Sequence, residues 1–132
     1  MGIARGRFIR EVLTDAQERT LLLVWCPGCD DKHPFWVRAR GSEKPAEDQH
    51  TWGFDWNLEA PTFTPSLLVH SHKTLINHDL VGDALTAPEN VRETPQCHSF
   101  VREGRWQFLG DCTHGLAGKT YPMVPLPAWL VD

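Results

Sequence analysis

Cys26-Pro27-Gly28-Cys29 constrains this chain more than any other feature. Two thiols held two residues apart by a Pro-Gly turn fit adjacent corners of a tetrahedral zinc site. Pro27 presets one bend, Gly28 permits the next, and backbone N–H groups are left free to face the sulfurs. Only two other cysteines exist, each near a histidine: Cys97-His98 and Cys112-Thr113-His114. The expected set is one zinc ion on Cys26, Cys29, Cys97 and Cys112, with His114 or His98 as substitute if one cysteine is free. Closing the long loop from Cys29 to Cys97 would stabilise a small domain considerably.

Two other uses of these cysteines fit less well. A thioredoxin-like redox pair needs a strand-to-helix context, whereas Pro34, Phe35, Trp36 and Val37 read as a second strand after a turn. Disulfides belong to oxidising compartments, and the N-terminal MGIARGRFIREV is charged rather than a continuous apolar signal segment. Reduced cysteines fit a cytoplasmic location.

The 132 residues suit one domain with a single core. Hydrophobic residues at 41% and charged residues at 23% describe a folded chain rather than a disordered one. No apolar run approaches a membrane span, so no membrane partner is expected. The net charge of −4, with Lys and Arg scattered, gives no basic stripe for nucleic acid.

The patterning predicts a mainly β fold, with a small α+β domain as the alternative: a compact antiparallel, zinc-ribbon-like sheet pinned by one zinc. Residues 7–12 read as a first strand or an irregular lead-in, and 14–19 as a turn. Thr20 to Trp25 is an apolar run too short for a typical helix, hence a strand delivering the chain to the knuckle. Residues 33–40 return from it, and 41–49 are a loop. Trp52, Phe54 and Trp56 alternate onto one face, and Leu67-Leu68-Val69 begins another strand after a Pro-rich break. Residues 70–96 carry His70, His72 and His78 with no lasting period. They read as a long surface excursion, with solvent-facing histidines and a short helix near Val81 to Leu85.

Cys97 to Phe108 reads as a hairpin around Gly104. A three-residue loop pairing Val101 with Arg105 puts His98, Phe100, Trp106 and Phe108 on one core-facing side; a two-residue turn would re-pair the faces. On either register Cys97 and His98 point apart, so only one of them can serve the metal.

The ordered set Cys-Pro-Gly-Cys with His33, Trp56, Pro61-Thr62-Phe63-Thr64-Pro65-Ser66-Leu67, Cys97-His98-Ser99-Phe100, Gly104, and Phe108 to His114 with Leu116-Ala117-Gly118 resembles an uncharacterised family of phage and prophage proteins. Some of its members carry the label ammonia monooxygenase, which nothing in this chain supports. More distant relatives lie beside bacterial ubiquitin-like conjugation genes, and the resemblance implies the cytoplasm of a bacterial host cell as the location. The resemblance implies that Pro65-Ser66, His98 and Asp111-x-x-His114 travel with the zinc cysteines.

That set has a chemical and a structural reading. His98 and His114 can act as base and acid, Asp111 can orient a histidine, and Ser66 can donate a hydrogen bond or act as a nucleophile. Alternatively His98 ties strands together, Asp111 caps a turn and Ser66 ends a strand. The leading expectation is a phage-type accessory protein with structural zinc, binding a host or phage protein, with counter-defence as one use. The alternative is a small zinc-dependent hydrolase or peptidase using His98, Asp111 and His114. Trp129, near Pro122, Pro125 and Pro127, is expected to be exposed or to dock on a second copy, a hint of a homodimer.

Overall fold

The computed structural model describes residues 7–44, 51–75 and 80–131. The fold is mainly antiparallel β. The first sheet has the order β1-β2-β3, from β1 (Ile9–Thr14), β2 (Arg19–Cys26) and β3 (Asp31–Arg38). Asp15 builds the first turn: its carboxylate accepts the backbone N–H groups of Gln17 at 3.0 Å and Arg19 at 2.9 Å. β2 alternates buried and half-buried residues along its whole length, as a strand with one face on a core must. It pairs with β3 without interruption from Arg19↔Arg38 to Cys26↔Asp31, so the knuckle is the turn of this hairpin.

The second sheet has five strands: β4 (Gly53–Phe54), β5 (Phe63–Val69), β8 (Cys97–Arg102), β9 (Arg105–Phe108) and β10 (Thr120–Pro122), ordered β10-β9-β8-β5-β4. Between β5 and β8 the chain makes a two-stranded pair of β6 (Lys73–Leu75) and β7 (Val91–Glu93), with 3-10 turns at Gly82–Leu85 and Pro88–Asn90. His70 and His72 are exposed there, whereas His78 lies outside the described residues. The expected strand through Trp52–Trp56 shortens to Gly53–Phe54, because Trp56 takes a positive φ of 56° and turns the chain. One helical turn, α1 (Ala128–Val131), ends the described chain. Trp129 on it is 64% exposed and meets Trp25 edge to face. No described helix is long and apolar enough to cross a membrane.

The two larger sheets share one core. Phe35 of β3 stacks on Phe63 of β5 with ring centroids 4.0 Å apart, and Phe63 stacks in turn on Phe54. Trp106 and Phe108 are buried from β9, beside Val101 and Cys97 of β8. Each such aromatic contributes roughly 1.5–3 kcal/mol by leaving water.

The hairpin between β8 and β9 has the two-residue turn, with Val101 opposite Trp106 and Arg102 opposite Arg105. Glu103 and Gly104 both take positive φ, 50° and 76°, as a turn that matches strand twist requires. This corrects the three-residue expectation and reverses the faces. Cys97, Ser99 and Val101 face the core with Trp106 and Phe108, while His98 and Phe100 are half-buried on the other side.

Candidate functional site

Two groups of functional side chains meet at the start of β8. The first is a metal-type cluster of Cys26, Cys29, Cys97 and His114, whose ligand atoms all lie within 4.8 Å of one another. Cys26 ends β2, Cys29 follows the Pro-Gly turn, Cys97 opens β8, and His114 comes from the loop after β9. The three cysteines are buried and free of disulfides. Cys26 Sγ lies 3.9 Å from Cys97 Sγ and accepts the Cys29 backbone N–H at 3.4 Å. Hydrogen bonds from the Cys29 and Cys97 thiols, opposed by burial, pull Cys26 down to about 4; the backbone N–H groups of Cys29 and Gly28 assist. Cys29 moves up, because its proton is held against Cys26. The protein alone therefore favours a thiolate at Cys26 and a thiol at Cys29.

The donors fit a metal ion on two further observations. Nε2 of His114 is buried and has no hydrogen-bond partner, a state that costs about 1–3 kcal/mol unless something satisfies it. A Cβ at Gly28 would land on the His114 ring, so the knuckle and this histidine are fitted to each other. Nδ1 of His114 takes the Leu116 backbone N–H at 3.2 Å, which places the neutral ring's proton on Nε2. Holding a cation through Nε2 requires that proton to leave or to move to Nδ1, opening the Leu116 contact.

Cys112, expected as the fourth ligand, stands outside this group of four. Its sulfur instead clasps the backbone of His98, accepting the N–H at 3.2 Å and donating to the carbonyl at 3.2 Å. Burial pushes the Cys112 thiol up, consistent with a protonated donor. His114 is the fourth member of that group: the loop from Gly110 curls past Cys112 and lays the imidazole edge-on against Phe108, centroids 4.6 Å apart.

The second group is Ser66, His98 and Asp111. Nε2 of His98 lies 3.4 Å from Ser66 Oγ, and its Nδ1 lies 3.0 Å from Asp111 Oδ2. An N–H at Nδ1 donating to the carboxylate leaves the Nε2 lone pair facing the serine hydroxyl, as a general base requires. Backbone stitching sets this geometry. Leu109 N–H donates to the His98 carbonyl at 2.9 Å, Gln96 N–H to Thr113 Oγ1 at 2.8 Å, and Thr113 N–H to the Gln96 carbonyl at 3.0 Å. The loop bearing Asp111 is thus fastened to the strand bearing His98. Ser66 is brought in by β5, where Leu68 pairs opposite His98. The His98 side chain is 29% exposed and that of Asp111 53%, so both open to solvent.

Residues 4–109 match the family described as Bacterial ubiquitination-like system serine protease (BubE). The chain belongs to the BubE family. The matched span includes Cys26, Cys29, Ser66, Cys97 and His98, and stops short of Asp111 and His114. The family's description names a bacterial ubiquitination-like system, consistent with the resemblance to relatives beside such genes. Searches of curated proteins and of solved structures give no match.

Of the expected catalytic residues, His98 and Asp111 come together, and His114 departs to the metal group. Ser66 is the member that sequence reasoning kept out of the catalytic set. Its signal was the pairing of Pro65-Ser66 with the His98 and Asp111 motifs.

Proposed function

We propose that this protein is a serine hydrolase cleaving amide bonds in a protein substrate, with Ser66 as nucleophile, His98 as general base and acid, and Asp111 as the group that orients His98. The observation that carries the reading is the chain of contacts from Ser66 Oγ to His98 to Asp111. The 3.4 Å serine–histidine distance is long for a hydrogen bond, and such contacts commonly tighten only when substrate binds. Ser66 Oγ attacks the carbonyl carbon as its proton passes to His98 Nε2. The C–N bond then breaks as His98 returns the proton to the leaving amine. Water, deprotonated by the same nitrogen, releases the acyl group and restores Ser66.

The family's place in a ubiquitination-like system supports a ubiquitin-like protein, or a conjugate of one, as substrate. The metal is proposed to be zinc, because three thiolates and an imidazole are a usual zinc ligand set. When bound it supplies a structural cross-link. Four protein donors close the site, so it is not needed as a Lewis acid.

The competing reading, a phage-type protein that only binds a host or phage partner, uses the same metal group as a staple. Incubating the metal-loaded protein with a ubiquitin-like protein carrying a C-terminal extension separates the two. Under the hydrolase reading the extension is removed, and Ser66→Ala and His98→Ala abolish removal while keeping metal and fold. Under the binding reading nothing is cleaved and both variants behave as the parent.

A further inference from the structure

Along β5, from Leu67 just after Ser66, runs a cavity of about 550 Å³, lined mostly by apolar side chains that include Leu23, Pro34, Trp36, Trp52, Leu68 and Pro95. One wall is the outward face of β2 and β3, and another is the far half of β5. β4 pairs only with Phe63 and Thr64, so beyond them β5 meets no strand on that edge among the described residues.

The backbone of Leu68 points to this open edge. His98, directly opposite Leu68, spends its N–H on Cys112 Sγ and its carbonyl on the Leu109 N–H, both on the side away from β5. Leu68 and His98 are therefore a non-hydrogen-bonded pair, and the Leu68 N–H and C=O turn outward. Among the described residues neither has a partner. The Ser66 carbonyl faces the same way, since it accepts the Trp52 indole N–H at 3.3 Å.

Across the cavity the outward edge of β3 is partly used. The Trp36 carbonyl already takes the Trp52 backbone N–H at 2.8 Å, and by strand alternation the next outward position is Pro34, which has no N–H to offer. On β5, by contrast, one residue, Leu68, offers both a donor and an acceptor, and it does so two residues from Ser66.

We infer that this cavity is the substrate-binding groove of the Ser66 site, taking an extended, flexible peptide segment that adds a strand to β5 at Leu68 and seats an apolar side chain against Leu23, Pro34 and Trp36. The inference rests on Ser66 being the nucleophile and specifies what reaches it. An unpaired strand edge is recognised by main-chain hydrogen bonds, and the apolar wall selects one side chain. Two residues of strand cover about 6.6 Å, so a segment paired at Leu68 runs alongside Ser66. A folded loop or a small polar ester would make neither contact. The substrate class is thus an unstructured protein tail with an apolar residue near the cleaved bond.

The test uses Ser66→Ala protein, which binds without cleaving, and a library of random heptapeptides. The expected binders share an apolar residue and shift the Leu68 amide resonance, and N-methylation of one central peptide amide weakens them at least tenfold. Absence of binders, shifts confined to other surfaces, or indifference to every single N-methylation would overturn the groove. Cleavage of the same peptides by the parent protein is read separately. Peptides that bind in this way yet survive intact would contradict the role of Ser66 and leave the groove standing.

Discussion

Cys97 and His98 are neighbours on β8 that face opposite sides of its sheet, Cys97 toward the metal group and His98 toward Ser66. Asp111 and His114, three residues apart on one loop, repeat this division: Asp111 meets His98 and His114 joins Cys97. A cation binding Cys97 and His114 would therefore clamp the two elements that hold His98 and Asp111 in register. The metal would then be the fastening of the proposed catalytic geometry.

Metal removal tests that coupling. Chelation is expected to lower thermal stability and to lengthen or abolish the His98–Asp111 contact, observable as altered imidazole NMR shifts. Unchanged histidine resonances in metal-free, folded protein would show that the metal and the triad are independent.

Gly28→Ala is expected to weaken metal binding on the order of 10–100-fold, the range typical of disturbing a ligand's immediate support. The added methyl would occupy the place of the His114 ring. Competition with a colorimetric chelator gives the number.

Cys112→Ala is expected to keep one metal per chain and to cost about 1–3 kcal/mol of stability, because the His98 N–H loses its acceptor. His114→Ala should instead lose metal. Metal analysis with denaturant unfolding separates the two, and the reverse pattern would return Cys112 to the ligand set.

Metal affinity should rise with pH. Cys26 is held as a thiolate down to about 4, whereas Cys29 has its proton held against Cys26 and must release it to bind a cation. Lower pH favours that proton over the metal. Titration in weak buffer is expected to show proton release on loading, and pH-independent affinity would contradict the protonation pattern.

Asp111→Asn is expected to lower turnover by roughly 10²–10⁴-fold with fold and metal retained, since an amide no longer selects the tautomer with Nε2 free. Rate constants for amide cleavage, or for acylation of Ser66 by an activated ester, provide the check.

The strand–knuckle–strand unit was legible because β2 and β3 alternate cleanly and Cys-Pro-Gly-Cys has one obvious turn. The β8–β9 hairpin was less so. A non-glycine residue, Glu103, takes a positive φ there, and that shift of one residue in register moved His98 from the expected core side to the opposite face. Counting thiols favoured Cys112 for the metal, but how the loop after Gly110 curls is set by hydrogen bonds to Gln96 and His98, which no periodicity records. Ser66 was legible as a candidate nucleophile but not as the partner of His98, which lies 32 residues away across a strand pair.

Labelling with a fluorophosphonate decides whether Ser66 is an activated nucleophile, because it reports such a serine without requiring the natural substrate. The metal-loaded protein is expected to gain one adduct, mapped by mass spectrometry to Ser66, and to lose it in His98→Ala. Absence of labelling in folded, metal-loaded protein, or an adduct on another residue, would contradict the account.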